Sequence, residues 1–194
     1  NYKTRKISEK TIKITKMNHD EFIPLQLLNL TNSSRIQLIY HIEREQLLVL
    51  KSFYSSESKK LFEREYKNYT KISHPSIPRF YGMVNIDDKD SLIVEYIKGT
   101  NLAKIDKLSL GIQKKINIIF EIMIVIEYLQ NHNFIYRDLK PSNFIIDSRK
   151  LIKLIDFDRM VLSNETELDN VTTDFNNLYQ APEVLNGTVK KYTF

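Results

Sequence analysis

Short apolar runs separated by charged turns fill the first half of the chain. Two such runs flank the charged turn Glu43-Arg44-Glu45, and two more flank an acidic turn at residues 87–90. Runs of this length, bounded by polar turns, indicate β-strands. The predicted strands are residues 36–42, 47–53, 79–84 and 92–97, within a strand-rich region that starts near residue 22.

Two helices are predicted from the spacing of apolar residues. In residues 58–72 they recur at three- and four-residue steps, at Phe62, Tyr66, Tyr69 and Ile72, which is the period of a helix face. The longest helix is predicted at residues 112–130. Its apolar centre, residues 116–129, is too short and too charged to span a bilayer, so we predict a buried helix.

Short strands at 144–146 and 152–155 follow, and then a polar stretch from 156 to 181 with little periodicity. A strand-rich half followed by a helical half predicts an α+β fold of two lobes with a cleft between them.

Composition supports a folded chain and limits its chemistry. Of the 194 residues, 42% are hydrophobic and 11% aromatic, which is enough for a core. Cysteine is absent, so disulfides and thiolate chemistry are excluded, and we expect a cytoplasmic location. The formal charge of +5 comes without a basic-aromatic motif, so no nucleic-acid partner is predicted.

Basic residues concentrate at the N-terminus. The predicted N-terminal extension, residues 1–20, has Glu9 as the one acidic residue among its first sixteen positions, against six Lys and Arg residues: Lys3, Arg5, Lys6, Lys10, Lys13 and Lys16. We interpret this run as a solvated extension in preference to a docking patch, although a regulatory partner could bind here or on the strand-rich lobe. Because the first residue is Asn1, we expect the chain to be a piece of a longer one.

The residues that indicate a function lie in a predicted loop and the run that follows it. Asp138, Lys140 and Asn143 are separated by two and then three residues, and the apolar run from Leu151 ends at Asp156. These side chains offer a base, a phosphate-binding cation and two metal-binding groups. Phosphoryl transfer requires such a set, because the protein contributes positioning and charge neutralisation to that reaction.

The order of these motifs resembles the eukaryotic protein-kinase family over residues 22–185. Further matching motifs are Lys51 at the end of an apolar strand, Glu65 on the first helix, and Ala181-Pro182-Glu183. Lys140-Pro141 is typical of the serine/threonine type. The resemblance implies a strand-rich N-lobe with hinge at 21–98 and a partial, mainly helical C-lobe at 99–194.

The resemblance implies a role for each charged residue. Lys51 would hold the α- and β-phosphates of ATP and Glu65 would pair with it. Asp138 would be the catalytic aspartate and Lys140 would neutralise the γ-phosphate, while Asn143 and Asp156 would hold Mg²⁺.

Apolar and hinge residues would complete an ATP pocket. The resemblance assigns Leu38 and Val49 to its roof, Ile145 to its floor, Val94 to its back, Glu95 to Ile97 to the hinge, and Asn101 to the ribose. Plain core packing is the competing interpretation for the apolar members. Tyr69, Tyr136 and Phe157 would stack in an aromatic spine.

Four departures from the family pattern favour an alternative. The stretch 29–38 contains no glycine, Asp158 replaces the family's glycine, Asn176 replaces a threonine, and the chain stops at Phe194. Without the family's further helices, the 112–130 helix would lose cover.

The main expectation is a serine/threonine kinase acting on proteins with ATP and Mg²⁺, activated by phosphorylation at Thr172. The alternative is a pseudokinase that binds nucleotide or acts as an allosteric or scaffold module.

Overall fold

The structure is a computed structural model that describes residues 15–16, 19–54, 56–86, 89–106 and 110–164, with the single positions Tyr179 and Pro182. The predicted phosphorylation sites Thr172 and Thr173, together with Asn176 and Glu183, lie outside the described residues.

Six strands form the larger sheet, in the spatial order β1-β5-β6-β4-β3-β2. Their bounds are β1 (Thr15–Lys16), β2 (Phe22–Leu30), β3 (Ser34–His41), β4 (Gln46–Phe53), β5 (Phe80–Ile86) and β6 (Lys89–Glu95). All neighbours are antiparallel except β1 and β5. The predicted turn at 87–90 is shorter than expected, because β6 already pairs at Lys89 and Asn85 Nδ2 donates to Asp90 Oδ1 across the hairpin.

Strand register decides which side chains face the cleft. Lys51 pairs with Ile36 and Val49 pairs with Leu38, and directly opposed residues lie on the same face of a sheet. The alternate residues of the strand, Leu48 and Leu50, pack on the other face in a cluster with Ile39, Val84 and Ile93. Lys51 therefore lies on the face of the sheet that packs against the first helix and the main core.

Helix α1 (Ser56–Tyr69) packs its buried stripe against β4 and β6. Ser58, Phe62, Glu65 and Tyr69 are all buried, at steps of four, three and four residues. Glu65 therefore faces inward because it lies on the apolar stripe. The helix ends three residues before the predicted Ile72, where the Lys71 amide bonds back to Asn68 O in a tighter turn.

The second half is built around one long helix, α2 (Ile112–Asn131). Its short strands are β7 (Gly99–Asn101), β8 (Phe134–Ile135), β9 (Phe144–Asp147), β10 (Ile152–Leu154) and β11 (Val161–Leu162). Strands β10, β9 and β7 form one small sheet, and β11 pairs with β8 in another. The pairing of β11 with β8 brings the chain after Asp156 beside the start of the loop at residues 136–143.

The prediction of a buried helix at 116–129 is wrong for much of α2. Val125 and Leu129 are buried, whereas Phe120 is 60% exposed and Met123 is 59% exposed. Helix α2 packs against β8 and β10, and its partly buried Ile118, Ile122 and Ile126 pack against the main core. No helix in the described ranges has the length and apolar character that a membrane crossing requires.

Gly99 permits the close approach of β7 to β9. A Cβ atom at this position would lie 2.2 Å from the carbonyl oxygen of Ile146, a separation that backbone atoms cannot accommodate without shifting. Strand β7 leads into the second half of the chain. The lack of a side chain at Gly99 therefore lets this part of the chain pack closely on β9.

Gly99→Ala is expected to destabilise the fold by about 1–3 kcal/mol through this clash. Gly111→Ala is the matched control, because a Cβ there meets nothing within 4 Å. Thermal and urea unfolding of the two variants test the assignment. Equal losses in both variants would show that close packing of β7 on β9 does not constrain the fold.

Candidate active site

Asp138 is fixed by its neighbours in the catalytic loop (residues 136–143). Asn143 Nδ2 donates to Asp138 Oδ2 at 2.8 Å and to the Asp138 carbonyl at 2.9 Å. Lys140 Nζ lies 2.8 Å from the same Oδ2. The three predicted loop residues therefore form one bonded unit, in which an amide and an ammonium hold one carboxylate oxygen.

The other oxygen of Asp138 has bonding capacity left over. Asp138 is only 4% exposed, and its Oδ1 is buried with no hydrogen-bond partner among the described residues. Burying a carboxylate oxygen without a hydrogen-bond donor costs folding free energy, so its presence in a folded protein indicates a function. A hydroxyl donor is the chemical group that such an acceptor lacks.

Local backbone geometry explains why the loop turns as it does. Arg137 adopts a left-handed φ of 64° immediately before Asp138, and Pro141–Asn143 forms a single 3₁₀ turn. Tyr136 is buried, and its hydroxyl donates to the carbonyl of Ile155. The loop is thus anchored to the segment that carries Asp156.

Three carboxylates surround the ammonium of Lys51. Its Nζ lies 2.7 Å from Glu65 Oε2, 2.6 Å from Asp156 Oδ1 and 3.7 Å from Asp158 Oδ2. The predicted pair of Lys51 and Glu65 is therefore brought together, and both residues are buried. Asp156 and Asp158 join the pair from the opposite side of the cleft, which was not predicted.

The charge imbalance of this cluster shifts its pKa values. Burial lowers the pKa of Lys51, but the carboxylates of Asp156, Glu65 and Asp158 outweigh it and raise the pKa well above its ordinary value. Burial raises the pKa of Glu65 to about 7, against the opposing effect of Lys51. Burial also opposes ionisation of Asp156, yet the Lys51 charge lowers the pKa of that carboxyl.

Asp158 is the member of the cluster that the lysine stabilises least. Burial and the neighbouring Asp156 charge raise the pKa of Asp158 to about 6. Its backbone does not need glycine, because among the described residues of this segment the left-handed φ of 69° belongs to Asp156. The sequence identified Asp158 as a departure but gave no indication that its side chain would reach Lys51.

The aromatic spine is present and is held by a residue that the sequence analysis missed. Phe157 contacts Tyr69 and Tyr136 edge-to-face, with ring centroids 5.2 and 5.8 Å apart. Asn68 Nδ2 donates to the carbonyls of Phe157 and Met160, both at 2.8 Å. The one sequence signal for this role was that Asn68 is a polar residue next to the buried stripe of α1.

The predicted roof and floor residues lie at partly open positions. Leu38 and Val49 are paired, half-buried, and on the sheet face that carries Lys51. Ile145 lies on β9, opposite Asn101 of β7, and is also half-buried. Partial exposure on this side is compatible with both a nucleotide pocket and the edge of a core, so these assignments stay predictions.

The hinge and ribose predictions involve side chains that already have structural partners. The Glu95 carboxylate accepts from the Arg79 amide and lies 3.7 Å from the buried ammonium of Lys153. Asn101 Oδ1 accepts from the Ala103 amide, and its Nδ2 donates to the Ser142 carbonyl. The Glu95 amide also donates to the Arg79 carbonyl at 2.8 Å, and Ile97 is buried, so the hinge and ribose assignments stay predictions.

The glycine-free stretch 29–38 is a hairpin and not an open loop. Most of it belongs to β2 and β3, joined by a tight turn at residues 31–33. The Thr31 hydroxyl accepts from the amides of Ser33 and Ser34. These amides are therefore bonded within the turn, whereas the family's glycine loop is expected to offer its amides to phosphate.

The donor set suits a hard divalent cation. Carboxylate oxygens of Glu65, Asp156 and Asp158 lie within 4.8 Å of one another, and oxygen ligands are those that Mg²⁺ prefers. With one ammonium against three carboxylates, the cluster also lacks positive charge. The residues present therefore fit the predicted cation, and Asp156 is the member that the family pattern and the geometry share.

Asp158→Asn is expected to stabilise the domain above pH 6 and to have less effect near pH 5. A carboxyl whose pKa is higher in the folded than in the unfolded state contributes stability at pH values below its unfolded-state pKa. That contribution is lost as the pH rises through the folded-state pKa, which is about 6 for Asp158. Asn removes the buried charge, so the gain should reach about 1–2 kcal/mol at neutral pH. The unfolding midpoint against pH measures it, with the exposed Glu63→Gln as control. A gain that does not change with pH would contradict the assignment.

Comparison with known proteins agrees with this geometry. The family model described as protein kinase domain matches residues 31–194, which is most of the chain. The carbon catabolite-derepressing protein kinase of Candida glabrata is 27% identical over 168 residues, covering 79% of this chain and 26% of the relative. The cyclin-dependent kinase-like 4 of Mus musculus is 27% identical over 153 residues, covering 75% and 44%.

A third relative shows higher identity over a shorter region. The developmentally-regulated protein kinase 1 of Dictyostelium discoideum is 38% identical over 123 residues, covering 60% of this chain and 16% of the relative. The chain spans less than half the length of each of these curated relatives. The catalytic loop, the Lys51–Glu65 pair and the family match lead to one conclusion: the chain belongs to the eukaryotic protein kinase family.

Proposed function

We propose that the full-length protein is an ATP- and Mg²⁺-dependent serine/threonine protein kinase. The observation that carries the proposal is the buried ion pair of Lys51 and Glu65, at 2.7 Å. A flexible ammonium must be aimed to bind phosphate, and a carboxylate on a helix aims it. Burying this pair is costly, so its presence beside Asp138 and Asp156 favours a catalytic use.

Each charged residue then has a role in transfer of the γ-phosphoryl group of ATP to a protein hydroxyl. Asp138 orients the hydroxyl and accepts its proton, and the buried Oδ1 without a partner supports this assignment. Lys140 neutralises charge on the γ-phosphate, and Lys51 holds the other phosphates. Asn143 and Asp156 would hold Mg²⁺, whose chemistry here is to neutralise charge on the phosphates.

The substrate class and setting are part of the proposal. Lys140-Pro141 is typical of the serine/threonine type, and a relative from Lactococcus lactis is named a probable serine/threonine-protein kinase. We propose protein substrates, a cytoplasmic location where ATP and Mg²⁺ are available, and control by phosphorylation at Thr172 or by a regulatory partner of the N-lobe.

A pseudokinase is the alternative, and two observations favour it. Asp158 places a third carboxylate at the ammonium that should receive phosphate, and the amides of Ser33 and Ser34 donate to the Thr31 hydroxyl. Both reduce the positive potential available to a nucleotide. The retained set of Asp138, Lys140 and Asn143 opposes this alternative, because a binding module does not need it.

Lys51→Met and Asp138→Asn are each expected to lower magnesium-dependent phosphoryl transfer by the full-length protein at least about 100-fold. Lys51→Met should also weaken nucleotide binding, whereas Asp138→Asn should retain it, because Asp138 acts on the hydroxyl. Initial rates with a generic protein substrate and nucleotide titrations measure the two effects.

Glu63→Gln is the matched control, since Glu63 is an exposed acid on the same helix as Glu65. It should retain full activity. Nucleotide binding without any transfer by the parent protein would favour the pseudokinase, and transfer that survives in both variants would refute the catalytic assignments.

A further inference from the structure

The third carboxylate at Lys51 changes the electrostatics of the phosphate-binding position. Lys51 Nζ is ion-paired with Asp156 and Glu65 at 2.6 and 2.7 Å, and Asp158 Oδ2 lies 3.7 Å away. The contact to the buried Glu65 Oε2 is an ion pair without an aligned hydrogen bond, so an acceptor with unused capacity also faces the cluster. Lys51 is therefore the ammonium that all three carboxylates approach, while the charges of Arg159 and Lys140 also act on Asp158 and Asp156.

The hairpin at the other side of the cleft cannot compensate. In this chain the Thr31 hydroxyl accepts from the amides of Ser33 and Ser34, and the Thr31 amide donates to the Ser34 carbonyl at 2.9 Å. Backbone donors bonded inside a turn contribute little to anion binding. Of the two lysines assigned to the phosphates, Lys140 and Lys51, Lys51 is the one that Asp158 approaches, so the charge next to Lys51 influences how strongly phosphate binds.

We propose that Asp158 makes nucleotide binding by this protein strictly dependent on a divalent cation. Its side-chain charge, which a glycine at this position would lack, makes the site select the cation-bound nucleotide over the free nucleotide. The inference rests on the proposed function, because it concerns the same nucleotide site. Asp158 would oppose the free nucleotide and would favour the nucleotide that arrives with Mg²⁺.

Like-charge repulsion supplies the physical reason. Without a cation, the phosphates must approach Lys51 against the charges of Asp156 and Asp158. A unit charge a few ångströms away alters binding about tenfold or more at the effective dielectric of a partly exposed cleft. A divalent cation cancels that repulsion, so removal of the Asp158 charge should matter much less when the cation is present.

The test compares nucleotide dissociation constants with EDTA and with saturating Mg²⁺, at constant ionic strength. A non-hydrolysable ATP analogue is titrated into the full-length protein by calorimetry, so the readout is binding and not turnover. The variants are Asp158→Asn, which removes the charge but keeps the shape, and Asp158→Gly, which the backbone also accepts. Asp158→Glu is the conservative rescue, and Glu63→Gln is the control for loss of a remote acid.

The expected result is that the ratio of the metal-free to the magnesium-loaded dissociation constant falls at least about tenfold in Asp158→Asn and Asp158→Gly. The fall should come from tighter metal-free binding, and the ratio should stay near the parent value in Asp158→Glu and Glu63→Gln. A purely structural role would shift both constants together and leave the ratio unchanged, which overturns the inference alone. A parent protein that binds no nucleotide in either condition overturns the proposed function together with the inference.

Discussion

The architecture of the cleft depends on one buried ammonium group. Lys51 Nζ joins β4 to α1 through Glu65, and joins both to the segment that follows β10 through Asp156. The same segment is tied again to α1 by Asn68, and to the catalytic loop by Tyr136. A buried charge without partners would be strongly unfavourable, so these elements must converge for Lys51 to remain inside.

Two of the four departures from the family pattern have described contacts: Asp158 beside Lys51 and the glycine-free hairpin. Asp158 adds negative charge beside Lys51 without requiring a special backbone angle, and the Thr31 hydroxyl accepts the amides of the hairpin turn. Asp138 in the catalytic loop is bonded to Asn143 and Lys140; among the described residues neither Asp158 nor the hairpin turn bonds to it, and the Asp138 charge contributes to the raised pKa of Asp158. We propose that Asp158 and the hairpin affect phosphate recognition more than the transfer step.

The sequence predicted the features that repeat or that a family motif contains. Apolar runs bounded by polar turns located β3 to β6, helical spacing located α1, and the family motifs paired Glu65 with Lys51. Contacts between distant segments left no periodic signal, which is why Asn68 and the reach of Asp158 were missed. Strands of two or three residues, such as β8 and β11, are too short for a pattern. The Asn101 side chain bonds to the backbone of Ala103 and of the distant Ser142, contacts that the sequence did not indicate, and its assignment to ribose stays a prediction.

The role of the buried ammonium is tested most directly by a double-mutant cycle, in which the free energy of unfolding is measured for Lys51→Met, Glu65→Gln and the combined variant. If the buried ammonium organises the cleft, each single change leaves an uncompensated group, and the coupling energy should be about 2 kcal/mol or more. Effects that simply add, within about 0.5 kcal/mol, would show that the two residues are independent and would contradict the central claim.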